Sequence, residues 1–148
     1  MNYRERSAWI CLLSILAVQG PYFAWSTPLL LAGPVRVAQL LPALTLAVLL
    51  QAVFTAVAHV VVARKAGRGL SDERDEAIAG ASVRRAYVVL SLATLPVFVV
   101  AMKFESTIGV AALIQLVLAG WVLAELVRYG SQCRDYRRSV AGLGDLGA

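Results

Sequence analysis

The side chains best suited to chemistry in this 148-residue chain lie inside its most apolar stretches. Gln51, Thr55 and His59 recur every fourth residue, which places them on one face of a helix. Tyr87, Ser91 and Thr94 share a face further on, and Gln115 and Glu125 interrupt a later run. Ser14 and Gln19 add two polar positions near the start. His59 is the single histidine, and imidazole is the side chain whose ordinary titration lies near neutral pH. Counted from the ends of their apolar runs, His59, Tyr87, Ser91 and Glu125 fall at a similar depth. One reading is a polar pocket for a small ligand or proton, built from Gln51, Thr55, His59, Tyr87, Ser91, Gln115 and Glu125. The other is plain interhelical hydrogen bonding, worth about 0.6–2 kcal/mol per contact. Glu125 also has an ion-pair partner within reach, Arg128 at i+3.

Recognised catalytic patterns are missing. The chain has no HExxH, no GxSxG and no Gly-rich phosphate loop. Cys11 and Cys133 lack the spacing of a redox or metal pair. No catalytic residue, metal site or cofactor is therefore expected.

Charge distribution defines the elements that carry these residues. Hydrophobic residues make up 59% of the chain and charged ones 16%, against roughly 25% charged in soluble domains. No charge interrupts 7–35, 37–63, 86–102 or 106–124. A soluble helix of such length needs a charged face, and a chain this short cannot wrap four such helices in polar layers. The expectation is an all-α, four-helix transmembrane bundle occupying residues 1–130. Its spans cover about 8–25, 36–63, 86–102 and 108–129, with a first outer loop at 26–34 punctuated by Pro28 and Gly33-Pro34. Residues 131–148 read as a basic, flexible tail. Small-residue pairs such as Gly120/Ala124 permit close helix packing.

Of the 14 Lys and Arg residues, 12 flank one side of these spans; Arg36 and Lys103 alone fall on the other. The positive-inside rule then puts both termini and the loop from Arg64 to Arg85 in the cytoplasm, as for a multi-pass inner-membrane protein. It also accounts for the net charge of +5 without nucleic acid, since no basic stretch carries stacking aromatics.

That loop contains an unusual acidic turn. Asp72, Glu73, Asp75 and Glu76 enclose Arg74 at a position suited to a helix N-terminus, so the third helix should extend into the cytoplasm. Capping needs one or two acids, not four, and like charges at this spacing repel. Neutralisation would come from Arg74, from the basic run Arg64–Arg68, from Arg134, Arg137 and Arg138, or from a docked partner. Asp72-Glu73-Arg74-Asp75, then Ile78 and Ala86-Tyr87, resembles a family of small predicted prokaryotic membrane proteins with a D-E-R-D/E-x-x-I motif between spans two and three. The resemblance implies a four-span fold and, in many relatives, genes beside helix-turn-helix regulators. It implies no reaction.

The expected function is thus a non-enzymatic sensor, regulator or tether. Asp72, Glu73, Arg74, Asp75, Glu76, Arg134, Arg137 and Arg138 would dock a cytoplasmic partner such as a transcription regulator. The alternative is a small dimeric transporter or ligand-binding protein using the inner-leaflet pocket. A homodimer is expected in either case, because a lone four-helix bundle leaves much lipid-facing surface and twofold assemblies are the commonest.

Overall fold

Once a chain lies in hydrocarbon, every backbone N–H and C=O must be paired within the segment, which selects uninterrupted helices. The computed structural model describes residues 3–66, 73–103 and 109–144. It contains four helices: α1 (Tyr3–Ala32), α2 (Val37–Ala66), α3 (Glu73–Lys103) and α4 (Val110–Gly144). All four are long and apolar enough to cross a membrane. At 1.5 Å per residue, thirty residues reach about 45 Å, which exceeds the ~30 Å hydrocarbon core. The all-α four-helix architecture is therefore as the charge gaps require, and α3 carries the expected polar extension ahead of its span.

Two boundaries differ from the sequence reading. The expected outer loop at 26–34 is mostly helix, because α1 continues through Pro21 and Pro28 and the connection to α2 shrinks to residues 33–36. Both prolines are exposed, so their rings displace no interhelical contact. Ser26 is fully buried, and its hydroxyl accepts a hydrogen bond from Gln115 Nε2 at 2.6 Å, which needs helical geometry at that point. α2 starts with a reciprocal cap: Arg36 N–H donates to Gln39 Oε1 (3.0 Å) and Gln39 N–H to the Arg36 carbonyl (2.9 Å). The stretch read as a flexible tail is also helical as far as Gly144, with Cys133 and Tyr136 buried. Asp72, the first acid of the turn expected to cap α3, lies outside the described residues.

α1 and α4 pair at the centre, α2 packs on α1, and α3 packs on α4. α2 and α3 thus leave most of their circumference outward, where Leu46, Val53, Leu92 and Phe98 form an apolar surface suited to lipid. The interior is filled by small residues. Ala8, Ala47, Ala86, Ala111 and Ala124 are buried, and Ser14, Ser26 and Ser82 are almost completely enclosed. Without a hydrophobic gain on leaving lipid, helices associate through close van der Waals contact and hydrogen bonds, which small residues permit. α3 and α4 cross closely where a Cβ on Gly120 would stand 3.0 Å from Ala93 Cβ. Gly120→Leu should lower stability by about 1–3 kcal/mol through overpacking. Unfolding in mild detergent checks this; an unchanged midpoint would show that the crossing relaxes freely.

Candidate functional site

α1 and α2 run antiparallel, so polar residues ascending one helix meet those descending the other. Ser7 Oγ lies 3.2 Å from His59 Nε2, and Cys11 Sγ lies 3.9 Å from the same nitrogen. One turn further along, Gln51 Nε2 donates to Ser14 Oγ (2.8 Å) and to Thr55 Oγ1 (3.2 Å). Ser14 Oγ in turn donates to the Cys11 carbonyl at 2.9 Å. The expected face of Gln51, Thr55 and His59 is therefore real, and α1 answers it position by position.

α4 closes this seam into a cavity of about 240 Å³, walled by Ile15, Gln19, Gln51, Trp121, Glu125 and Arg128 among others. Glu125 Oε2 and Arg128 Nη1 approach to 3.5 Å across its wall. A second hollow of about 450 Å³ shares Gln19, Gln51, Thr55 and Trp121 and reaches His59. One polar wall thus serves both spaces.

Hydrogen-bond accounting singles out the cavity. Gln19 is 3% exposed, yet its Oε1 has no partner among the described residues. Gln51 Oε1, His59 Nδ1 and Arg128 Nε are likewise buried and unpaired. A buried polar atom left unsatisfied costs about 1–3 kcal/mol. A second network, between α1 and α4, lacks such loose ends at its centre: Tyr22 Oη donates to Gln115 Oε1 (2.9 Å) while Gln115 Nε2 donates to Ser26. Of the five unpaired buried side-chain atoms among the described residues, three belong to the wall made by Gln19, Gln51 and Arg128, and the others are His59 Nδ1 and Trp9 Nε1.

Three expected pocket residues lie elsewhere. Tyr87 is 70% exposed and Ser91 is exposed, because α3 packs on α4 and contributes nothing to the cavity wall. Gln115 is buried, but ten residues up α4 from Glu125, about 15 Å along the axis. Conversely, Ser7, Cys11, Trp121, Arg128 and Tyr129 belong to the seam or cavity without having been gathered from sequence, and Ser14 and Gln19 had stood out only as isolated polar positions. The spacing of Ser7, Cys11 and Ser14 at i, i+4 and i+7 was the available signal, since it mirrors the α2 face on an antiparallel neighbour.

The expected docking charges divide into two groups. Asp75 is 6% exposed; its carboxylate meets Arg4 Nε at 3.7 Å and lies beside the Tyr136 hydroxyl. The Arg137 guanidinium covers the Trp9 ring at 4.9 Å. Arg85 pairs with Asp135, Arg134 Nε lies 3.5 Å from the same carboxylate, and Gln132 Nε2 donates to buried Ser82 at 2.8 Å. These contacts knit α1, α3 and α4 together at the Arg-rich end, so Asp75 and Arg137 serve the fold. Glu73, Arg74, Glu76 and Arg138 are exposed, although Glu76 also makes an internal contact. Asp72 lies outside the described residues. Among those residues, no three His, Cys, Asp or Glu side chains converge as metal ligands would. No family model, curated protein or solved structure matches the chain, and the site is read from its own geometry.

Proposed function

We propose that this chain is a non-enzymatic membrane sensor that binds a small amphiphilic molecule in the cavity between α1, α2 and α4. Both termini face the cytoplasm of an inner membrane in this reading, as the bias of 12 Lys and Arg against 2 favours. The observation that carries it is the unpaired, buried Oε1 of Gln19, a residue that lines the cavity together with Gln51 and Glu125. The wall offers acceptors in the two unpaired amide oxygens and the Glu125 carboxylate, beside the Arg128 guanidinium. Ile15, Trp121 and Val122 make the remainder apolar. A primary amine on a short alkyl or aryl body complements that wall. The volume falls below the roughly 300–1,000 Å³ of drug-sized pockets, which restricts the ligand to a small one.

The chain in lipid nanodiscs, followed by tryptophan fluorescence, should bind n-hexylamine saturably. Its N,N,N-trimethyl counterpart, which has no N–H, should bind at least tenfold more weakly, and Gln19→Leu should weaken the primary amine by about the same factor. Equal binding of both amines, or none, would end this reading. Occupancy would be reported through α4, which lines the cavity and runs on to the Arg-rich end, to a cytoplasmic regulator docking on Glu73, Arg74 and Arg138. The resemblance of the Asp72–Asp75 motif to proteins encoded beside helix-turn-helix regulators supports that choice of partner. In a crosslinking pull-down, alanine at these three positions should abolish recovery of the regulator; undiminished recovery would remove the docking role.

A further inference from the structure

The Arg-rich end carries a further hollow, lined by α3 and α4 alone. It is a groove of about 640 Å³ between α3 and α4, with Arg84, Arg85 and Arg134 at its rim and Val88, Val89 and Val127 in its floor. We infer that this groove seats an anionic phospholipid, with its phosphate between Arg84 and Arg134 and an acyl chain along the valines.

The rim is electropositive. Arg85 is held by Asp135, and Arg134 touches the same carboxylate only through Nε. Arg84 has no ion-pair partner among the described residues. Three guanidiniums therefore line the groove, and one acid, Asp135, contacts two of them. Arg guanidinium is the side chain best matched to phosphate oxygens, through its planar fork of donors.

The floor decides between a lipid and a soluble anion. Val88 lies one turn beyond Arg84, and Val127 two turns before Arg134, so about 10 Å of apolar groove descends from the rim. Val88 and Leu92 are exposed and continue the floor into the lipid-facing surface of α3. A phosphate alone would leave that floor bare, and a soluble protein cannot follow it into the bilayer. Basic pockets between transmembrane helices at a membrane surface are sites of acidic headgroups.

The test uses the full chain in nanodiscs of equal phosphatidylglycerol and phosphatidylcholine, with retained lipid counted by native mass spectrometry. The wild type should retain phosphatidylglycerol with a preference of about tenfold, as expected when two guanidiniums act near a membrane surface. Arg84→Gln should cut that preference severalfold, and Arg84→Gln with Arg134→Gln should erase it. Arg36→Gln, which removes an equal charge at the other end, should leave it intact. Val127→Trp fills the floor without touching the rim and should also expel the lipid. Circular dichroism and size-exclusion profiles confirm that each variant folds, and the single Arg84→Gln variant suffices if the double one does not. The inference fails if Arg84→Gln retains the full preference, or if Arg36→Gln loses as much. It fails equally if excess inorganic phosphate displaces the lipid and Val127→Trp has no effect, since the groove would then be a site for a soluble anion.

Discussion

Arg128→Leu should cost about 2–3 kcal/mol of stability, and adding Glu125→Gln should restore most of it. Glu125 and Arg128 form an i,i+3 pair at 3.5 Å, and on a water-exposed helix such a pair contributes only about 0.2–0.5 kcal/mol. This pair borders a cavity lined by Ile15, Trp121 and Val122, inside a helix that spans the membrane. Removing one partner of a buried pair leaves an uncompensated charge, which in low-dielectric surroundings costs about 3–5 kcal/mol. The side chains are 25% and 36% exposed, so solvation through the cavity reduces that figure. The double variant removes the stranded carboxylate and keeps its shape, so the penalty should disappear with it. A double-mutant cycle by denaturant unfolding in mild detergent separates the cases. A cost under 0.5 kcal/mol for Arg128→Leu would place the pair in ordinary water at the membrane edge.

What could be read from the sequence, and what could not, divides along physical lines. Charge-free runs bounded by arginines report burial in lipid directly, so the four spans and the polar lead of α3 were legible. The ends of α1 and α4 were not. Ser26, Pro28 and Gly33-Pro34 form a turn signal in water, but lipid forbids unpaired backbone and Ser26 has a buried partner in Gln115. In α4, Arg134, Asp135, Arg137 and Arg138 look solvated, whereas Leu126, Tyr129, Cys133 and Tyr136 continue a helical stripe between them. Within that stretch Arg137 covers Trp9, Asp135 pairs with Arg85, and Tyr136 lies beside Asp75.

The site was half legible for a related reason. Periodicity places Gln51, Thr55 and His59 on a face without saying which helix that face meets. A square bundle would have brought α3 beside α2 and carried Tyr87 and Ser91 to His59. The observed order instead sets α1 and α4 between them, so the partners come from α1 and the closing charges from α4. No spacing in a single sequence distinguishes those two arrangements. Ser7, Cys11 and Ser14 hint at the second, because their face has the same polarity and period as the α2 face.

Gln19→Leu should raise the stability of the ligand-free protein by about 1 kcal/mol while weakening amine binding about tenfold. Most core substitutions destabilise, so a gain here would be unusual. Gln19 is nearly fully enclosed and its Oε1 is unpaired, so the wild type carries the desolvation cost of an acceptor that bonds to nothing in the protein. Leucine has no polar atom and is one bond shorter, and the cavity beside it has room for its branched terminus. A site that holds unspent hydrogen-bonding capacity for a ligand gives up stability in its empty form, and removing the group should recover it. Gln51→Leu is the control, because Gln51 Nε2 already bonds to Ser14 and Thr55, and losing those contacts offsets relief of its free oxygen. Thermal unfolding with and without hexylamine reads both quantities from one preparation. A stabilised Gln19→Leu that loses the hexylamine-induced shift would tie the unpaired oxygen to the ligand. A destabilised one would mean that Gln19 serves packing, and the cavity would lose its strongest claim to a function.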